Sequence, residues 1–402
     1  MQERVFDKPL YDGVAPFSSI KGAIQLERIE SYIFLYSKQH LKNTPSHFYH
    51  SALDTTMKNT IISNNILNNT RGKYMLDQSS WQHILKDSIT DPLELLHELN
   101  LEDTLKYPSK EVLAQFPCRV PRPLLHKMEK GNPLDPLLKQ VLPINEELDI
   151  KTGYSLDPLK EASFNVTSGL LHKYKSRVLV TLTGACAINC RYCFRRHFPY
   201  SDNSFSYDRW NSILNYLKQD DNINEVIFSG GDPLCLKDSL LKNLIKDLEC
   251  VKHIHTLRIH TRFPIVIPQR ITQSLIETLS ETSLKIVVVF HVNHSNEIDV
   301  PTKQKIQELS KNNITLLNQS VLLKNINDDT ETLYALSNTL FNSSILPYYL
   351  HIVDKVQGCA HFSVNNSKGI TLINSLRDML PGYLVPRLTQ ETAFEKAKTI
   401  IA

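Results

Sequence analysis

Three cysteines crowd into eight residues, in Gly184-Ala185-Cys186-Ala187-Ile188-Asn189-Cys190-Arg191-Tyr192-Cys193. Thiolates are the usual ligands of iron–sulfur clusters, and C-x3-C-x2-C spacing puts three of them on one loop. Three ligands fill three irons of a cubane and leave the fourth open to chelate an amine and a carboxylate. Two other readings stand beside this one. A structural zinc site takes four ligands, normally as two pairs, and His197 is the nearest fourth; or the clustering is chance. Cys118, Cys235, Cys250 and Cys359 are scattered and read as packing residues. Glycine is scarce, 12 in 402 residues, and only Gly230 and Gly231 are adjacent, followed by Asp232. Such a pair lets backbone approach a ligand with no Cβ between. Alone it is equally an ordinary turn.

These residues follow strand-like runs. From Arg177 on, short apolar β-branched runs alternate with helix-length segments, at 177–183, 225–229, 255–261, 284–292, 314–322 and 346–354. Runs this continuous fit parallel strands covered on both faces. Six such units predict an α/β fold with a curved parallel sheet, a partial (β/α)6 barrel with helices outside. Chemistry in βα barrels sits just past the strand C-termini. The polar residues there are the cysteine loop, Gly230-Gly231-Asp232, Arg262, His291 with Asn293 and His294, Asn327-Asp328, and Asp354.

Residues 76–175 read as a helical region, with Ser80-Trp81 and Asp91-Pro92 opening helices. Residues 1–75 read as an extension without a chemistry motif: one amphipathic helix over about 24–41, then a polar linker over 63–70. The barrel is expected over 176–365, and a C-terminal helix and tail over 366–402.

Composition narrows the function classes. Apolar residues make up 41% and charged residues 22%, enough to bury a core and too apolar for a disordered chain. The net charge is +3, and beyond residue 75 acidic and basic residues balance at 36 each. No basic field draws nucleic acid. No apolar run is long enough to span a membrane, and no secretory leader is evident, so the chain reads as cytoplasmic. Seven cysteines, an odd number, fit a reducing compartment better than a disulfide scaffold.

The cysteine loop, with Tyr192 before its last cysteine, and the glycine pair after the second strand resemble the radical S-adenosylmethionine superfamily. That resemblance implies a [4Fe–4S] cluster on Cys186, Cys190 and Cys193, with S-adenosylmethionine on the open iron and Gly230, Gly231 and Asp232 contributing to its binding. Over roughly residues 80–400 the chain resembles more closely the lysine 2,3-aminomutase family. The segments that carry this include Met128-Glu129-Lys130-Gly131-Asn132-Pro133, His172-Lys173-Tyr174, Ser229-Gly230-Gly231-Asp232-Pro233-Leu234, His291-Val292-Asn293-His294 and Asn318-Gln319-Ser320-Val321-Leu322-Leu323.

This second resemblance implies pyridoxal 5'-phosphate as a further cofactor and conversion of L-lysine to (R)-β-lysine. It implies that Lys398 holds the pyridoxal aldehyde, with Lys396 the fallback, and that Arg177 binds the phosphate, as a planar guanidinium can. It implies that Arg195 pairs the substrate carboxylate and that Asp328 and Asp354 bracket the distant ammonium. Residues 193–200 and 348–358 resemble the bacterial branch acting with elongation factor P. Free-lysine aminomutases carry cysteines in a C-terminal extension, and none follows Cys359 here. The implied partners are L-lysine, a lysyl-transferring ligase, elongation factor P, and a reductant such as flavodoxin or ferredoxin. Rival readings are a free-lysine mutase for solute or antibiotic synthesis and a non-catalytic iron–sulfur protein.

Overall fold

The computed structural model describes residues 80–203 and 205–402; the expectations for residues 1–75 lie outside the described residues. All six expected runs are strands: β3 (Arg177–Thr183), β4 (Glu225–Gly230), β5 (Thr256–Thr261), β6 (Lys285–Phe290), β7 (Thr315–Leu322) and β8 (Leu346–Ile352). They pair in parallel in chain order.

The sheet is wider than the sequence suggested. It begins with an antiparallel hairpin, β1 (Asn165–Thr167) and β2 (Leu170–Tyr174), that pairs onto β3. The region expected to be helical therefore ends in strands. At the far edge β9 (Arg387–Gln390) runs parallel to β8, and β10 (Thr399–Ile400) returns antiparallel to β9. The tail after the helix Asn366–Met379 is thus a hairpin. Strands of two to five residues bury too few apolar side chains to leave a periodic signal.

Alternation along the strands separates the helix-facing side from the barrel interior. On β5, Leu257 and Ile259 are fully buried, while Arg258 and His260 line the interior. The outer helices carry matching stripes. In Asp238–Glu249 the buried residues are Leu241, Leu244, Ile245 and Leu248, one face of a 3.6-residue period. Each buried leucine contributes about 1.5–3 kcal/mol.

The segment before the sheet holds the cysteine loop. Its short helices start where the sequence placed them, with Ser80 capping Trp81–Lys86 and Asp91 capping Pro92–Glu98. Farther on, the Pro117 and Arg119 carbonyls accept from the side-chain and backbone N–H of Asn189, and the Gln140 carbonyl accepts from the Arg191 N–H. Glu147 takes the Arg191 fork at 2.8 and 2.5 Å and Arg196 Nη2 at 2.6 Å. All three side chains are buried. Removing one partner of such a cluster costs about 3–5 kcal/mol, because a buried charge is left unpaired.

Candidate active site

A cavity of about 640 Å³ fills the barrel interior, and Cys186, Cys190 and Cys193 open onto it. All three thiols are free. A tight turn, Cys193 N–H to the Cys190 carbonyl at 3.0 Å, brings the last two together. Arg191, between them, points into the Glu147 cluster, which anchors the loop from behind. Burial pushes the Cys193 thiol up to about 11 and Cys186 well above the ordinary thiol range. Ionising them there requires a positive partner, which a metal cluster supplies.

Arg262 gives Cys190 Sγ a hydrogen bond at 2.8 Å and Tyr192 Oη one at 2.6 Å, and is itself held by Glu297 and Gln140. The donor set is therefore three thiols on one wall. His197, the candidate fourth zinc ligand, turns to the Gln357 carbonyl and does not line the cavity. Among the described residues no three His, Cys, Asp or Glu side chains are grouped to hold a single ion. In a cubane each thiolate binds a separate iron, and three thiols spread along one wall are a donor set that a cluster can use.

The glycine pair lies against the same loop. Gly231 donates to the Thr183 carbonyl at 2.6 Å, and a Cβ on it would stand 2.4 Å from the Ala185 carbonyl oxygen. Gly230 has φ +111°, a conformation nearly closed to residues with a side chain. Both glycines line the cavity, and their bareness also lets β4 close onto the residues leading into Cys186.

Asp232 also lines the cavity. Both of its oxygens are taken by the protein: they accept from Leu234 N–H, Thr261 Oγ1, Arg262 N–H and Phe263 N–H, all at 2.8–3.0 Å. It positions the turns after β4 and β5.

Arg195, Asp354, Arg177 and Lys398 all line the cavity. The Arg195 fork is engaged by Glu161 at 2.8 and 2.6 Å, with Nη1 on Ser229 Oγ at 3.1 Å. Asp354 has no hydrogen bond or ion pair from its carboxyl among the described residues. Burial pushes it up to about 7; Lys398 opposes the shift, and Glu391 and Glu161 add to it. Arg177 stacks on the Tyr174 ring at 4.1 Å and makes no ion pair among the described residues. Lys398 lies just before β10, its ammonium on Glu391. Lys396 is exposed and off the cavity.

Asp328 is not brought together with the other expected site residues. It is off the cavity, where it accepts from the Asn325 N–H at 2.7 Å and pairs with Lys368. Its neighbour Asn327 is the residue that turns inward, bonding Leu323 N–H, Val321 O and Asn293 O.

Sequence reading missed Glu391, Lys173, Tyr174, Glu161 and His260. Glu391 accepts from Lys173 Nζ at 2.7 Å and from Tyr174 Oη, and these with Lys398 hold its carboxyl down to about 2 against the effect of burial. The signal was faint: a glutamate seven residues before a lysine, across a hairpin whose strands were themselves unpredicted.

The sequence model of the Radical SAM superfamily matches residues 180–336. The chain is 48% identical over 326 residues to a Haemophilus influenzae protein named L-lysine 2,3-aminomutase, covering 81% of this chain and 96% of that one. An Escherichia coli protein of the same name is 47% identical over 323 residues, covering 80% and 94%. One from Buchnera aphidicola is 45% identical over 325 residues, covering 81% and 96%.

Proposed function

We propose that this chain, which belongs to the L-lysine 2,3-aminomutase family of radical S-adenosylmethionine enzymes, is an isomerase that converts L-α-lysine to (R)-β-lysine by 2,3-amino migration, for β-lysylation of elongation factor P. Family membership implies a [4Fe–4S] cluster, S-adenosylmethionine and pyridoxal 5'-phosphate. The observation that carries the reading is the meeting of the three cysteines, Arg195, Asp354 and Lys398 on one cavity.

When bound, these cofactors supply hydrogen abstraction at carbon and a conjugated ring through which nitrogen shifts. The chain's residues do the rest. Cys186, Cys190 and Cys193 hold the cluster, and Gly230 and Gly231 admit S-adenosylmethionine close to the backbone. Arg177, without a carboxylate partner, takes the phosphate, and Lys398 holds the pyridoxal. Arg195 presents its fork to the substrate carboxylate in exchange for Glu161. Asp354, enclosed and unpaired, takes the distant ammonium and ionises as it does so. The barrel wall keeps the chemistry from bulk water.

The elongation factor part rests on residues 193–200 and 348–358, which carry the likeness to that branch and supply Arg195, Tyr200 and Asp354 to the cavity. The proposed setting is the cytoplasm, with a flavodoxin or ferredoxin as reductant and a lysyl-transferring ligase to consume the product. No described helix is long and apolar enough to cross a membrane.

The test is anaerobic. Reconstituted protein receives dithionite, S-adenosylmethionine, pyridoxal phosphate and either L-lysine or lysyl-elongation factor P, with Cys190→Ala as control. β-Lysine from wild type alone is expected. Adenosyl cleavage that depends on Cys190, without β-lysine from either substrate, overturns the substrate assignment.

A further inference from the structure

The lysine assigned to the pyridoxal is already occupied. β9 and β10 pair as Gln390 with Thr399 and Thr389 with Ile400, so the next residues inward, Glu391 and Lys398, face each other across the hairpin neck. Their side chains form an ion pair. Glu391 is not free to follow Lys398 elsewhere, because its other oxygen is fixed by Lys173 Nζ at 2.7 Å and by Tyr174 Oη on β2. Lys173 is tied in turn to the Thr392 carbonyl at 2.7 Å. An amine held as an ammonium has no lone pair to attack an aldehyde.

We propose that Glu391 is a latch on Lys398: it holds the amine as an ammonium, and pyridoxal capture requires that ion pair to open. This rests on Lys398 being the pyridoxal lysine. The step balances as follows. The ammonium gives one proton to solvent, its nitrogen bonds the aldehyde carbon, and the aldehyde oxygen leaves as water. Glu391 keeps Lys173 and Tyr174 throughout, so its carboxylate is not left bare. It is a positioning residue and undergoes no covalent change.

The other groups facing Lys398 cannot replace it. His260 on β5 and His351 on β8 are held neutral by burial, reinforced by the nearby cations. Tyr349 on β8 turns its ring to the ammonium at 5.9 Å, and burial pushes its hydroxyl up to about 12. Asp354 shares its proton with solvent near neutrality. Among the described residues that face Lys398, Glu391, held down to about 2, is the carboxylate charged across the working range.

The experiment uses the full-length chain stripped of pyridoxal. Pyridoxal phosphate is added, borohydride traps the product at timed points, and peptide mass spectrometry reads the label on each lysine. Glu391→Gln, which removes the charge that pairs with Lys398, is expected to label Lys398 about tenfold faster than wild type. Glu391→Asp, which keeps the charge, should stay near wild type. A Gln variant no faster than wild type overturns the latch, and so does an Asp variant as fast as the Gln variant. Wild-type label on Lys396 in place of Lys398 overturns the lysine assignment itself, a different failure.

Discussion

Glu391 and Lys398 form an ion pair at the neck of the β9–β10 hairpin, one position inside the Gln390–Thr399 pair. Hairpin register therefore aims Lys398 into the cavity and leaves Lys396 exposed on the loop. Lys398→Ala is expected to lose the visible absorbance of bound pyridoxal, and Lys396→Ala to keep it. Absorbance spectra of the two variants after loading and desalting decide this. A Lys398→Ala protein that still carries the chromophore would sink the assignment.

Asp354 couples function to stability with a definite sign. Its carboxyl titrates at about 7 in the folded chain and near 3.9 in an unfolded one. Between those values the folded state binds the extra proton, so stability falls as pH rises, by up to about 4 kcal/mol above pH 7. Asp354→Asn should therefore raise the melting temperature at pH 8 and change it little at pH 4. The same variant should raise KM for lysine about tenfold or more. For wild type, KM should climb as pH drops below 7 and a proton replaces the substrate's ammonium. A melting-temperature difference between Asp354→Asn and wild type that is the same at pH 8 and pH 4 would show that Asp354 is not buried as an unpaired carboxyl.

What the sequence made legible follows from pattern length. Six strands of six to eight residues left continuous apolar runs, and their ends located the cysteine loop, the glycine pair and Asp354 correctly. The hairpins β1–β2 and β9–β10 were too short to register, so Glu391, which depends on β10 facing β9, was invisible. Asp328 lies off the cavity for another reason. A strand's C-terminal end predicts which residues lie near the rim, but not which way a turn residue faces, and Asn327 is spent on backbone groups of Leu323, Val321 and Asn293. Asp232 was placed on the cavity by the same reasoning, while the four backbone and hydroxyl donors that hold its oxygens were not legible.

Gly231 is expected to control cluster assembly. An added Cβ would meet the Ala185 carbonyl oxygen at 2.4 Å, and that oxygen cannot move without moving the backbone into Cys186. Forcing the two apart costs about 1–3 kcal/mol, concentrated at the cysteine loop. Gly231→Ala should keep its circular dichroism spectrum while iron bound after anaerobic reconstitution falls to roughly half of wild type or less. Full iron content in a folded variant would contradict the close approach.

Asp328→Ala should leave catalysis almost intact. Its carboxylate caps Asn325 N–H and pairs with the half-exposed Lys368, an interaction worth about 0–1 kcal/mol. The expected kcat/KM for lysine is within about threefold of wild type. A loss of a hundredfold would mean that Asp328 reaches the substrate after all.

Glu161 competes with the substrate for one guanidinium. The Arg195 fork, Nε and Nη2, closes on Glu161 with two bonds, the same bidentate geometry that a substrate carboxylate needs. Glu161→Gln weakens the internal competitor and preserves its shape, so KM for lysine should fall while kcat stays close to wild type. Arg195→Lys keeps the charge but not the fork, and should raise KM by about tenfold or more, since one 1.4 kcal/mol bond is a factor of ten in binding. Steady-state kinetics on the two variants separate the roles. A rise in KM for Glu161→Gln would show that Glu161 helps to hold the substrate instead of competing with it.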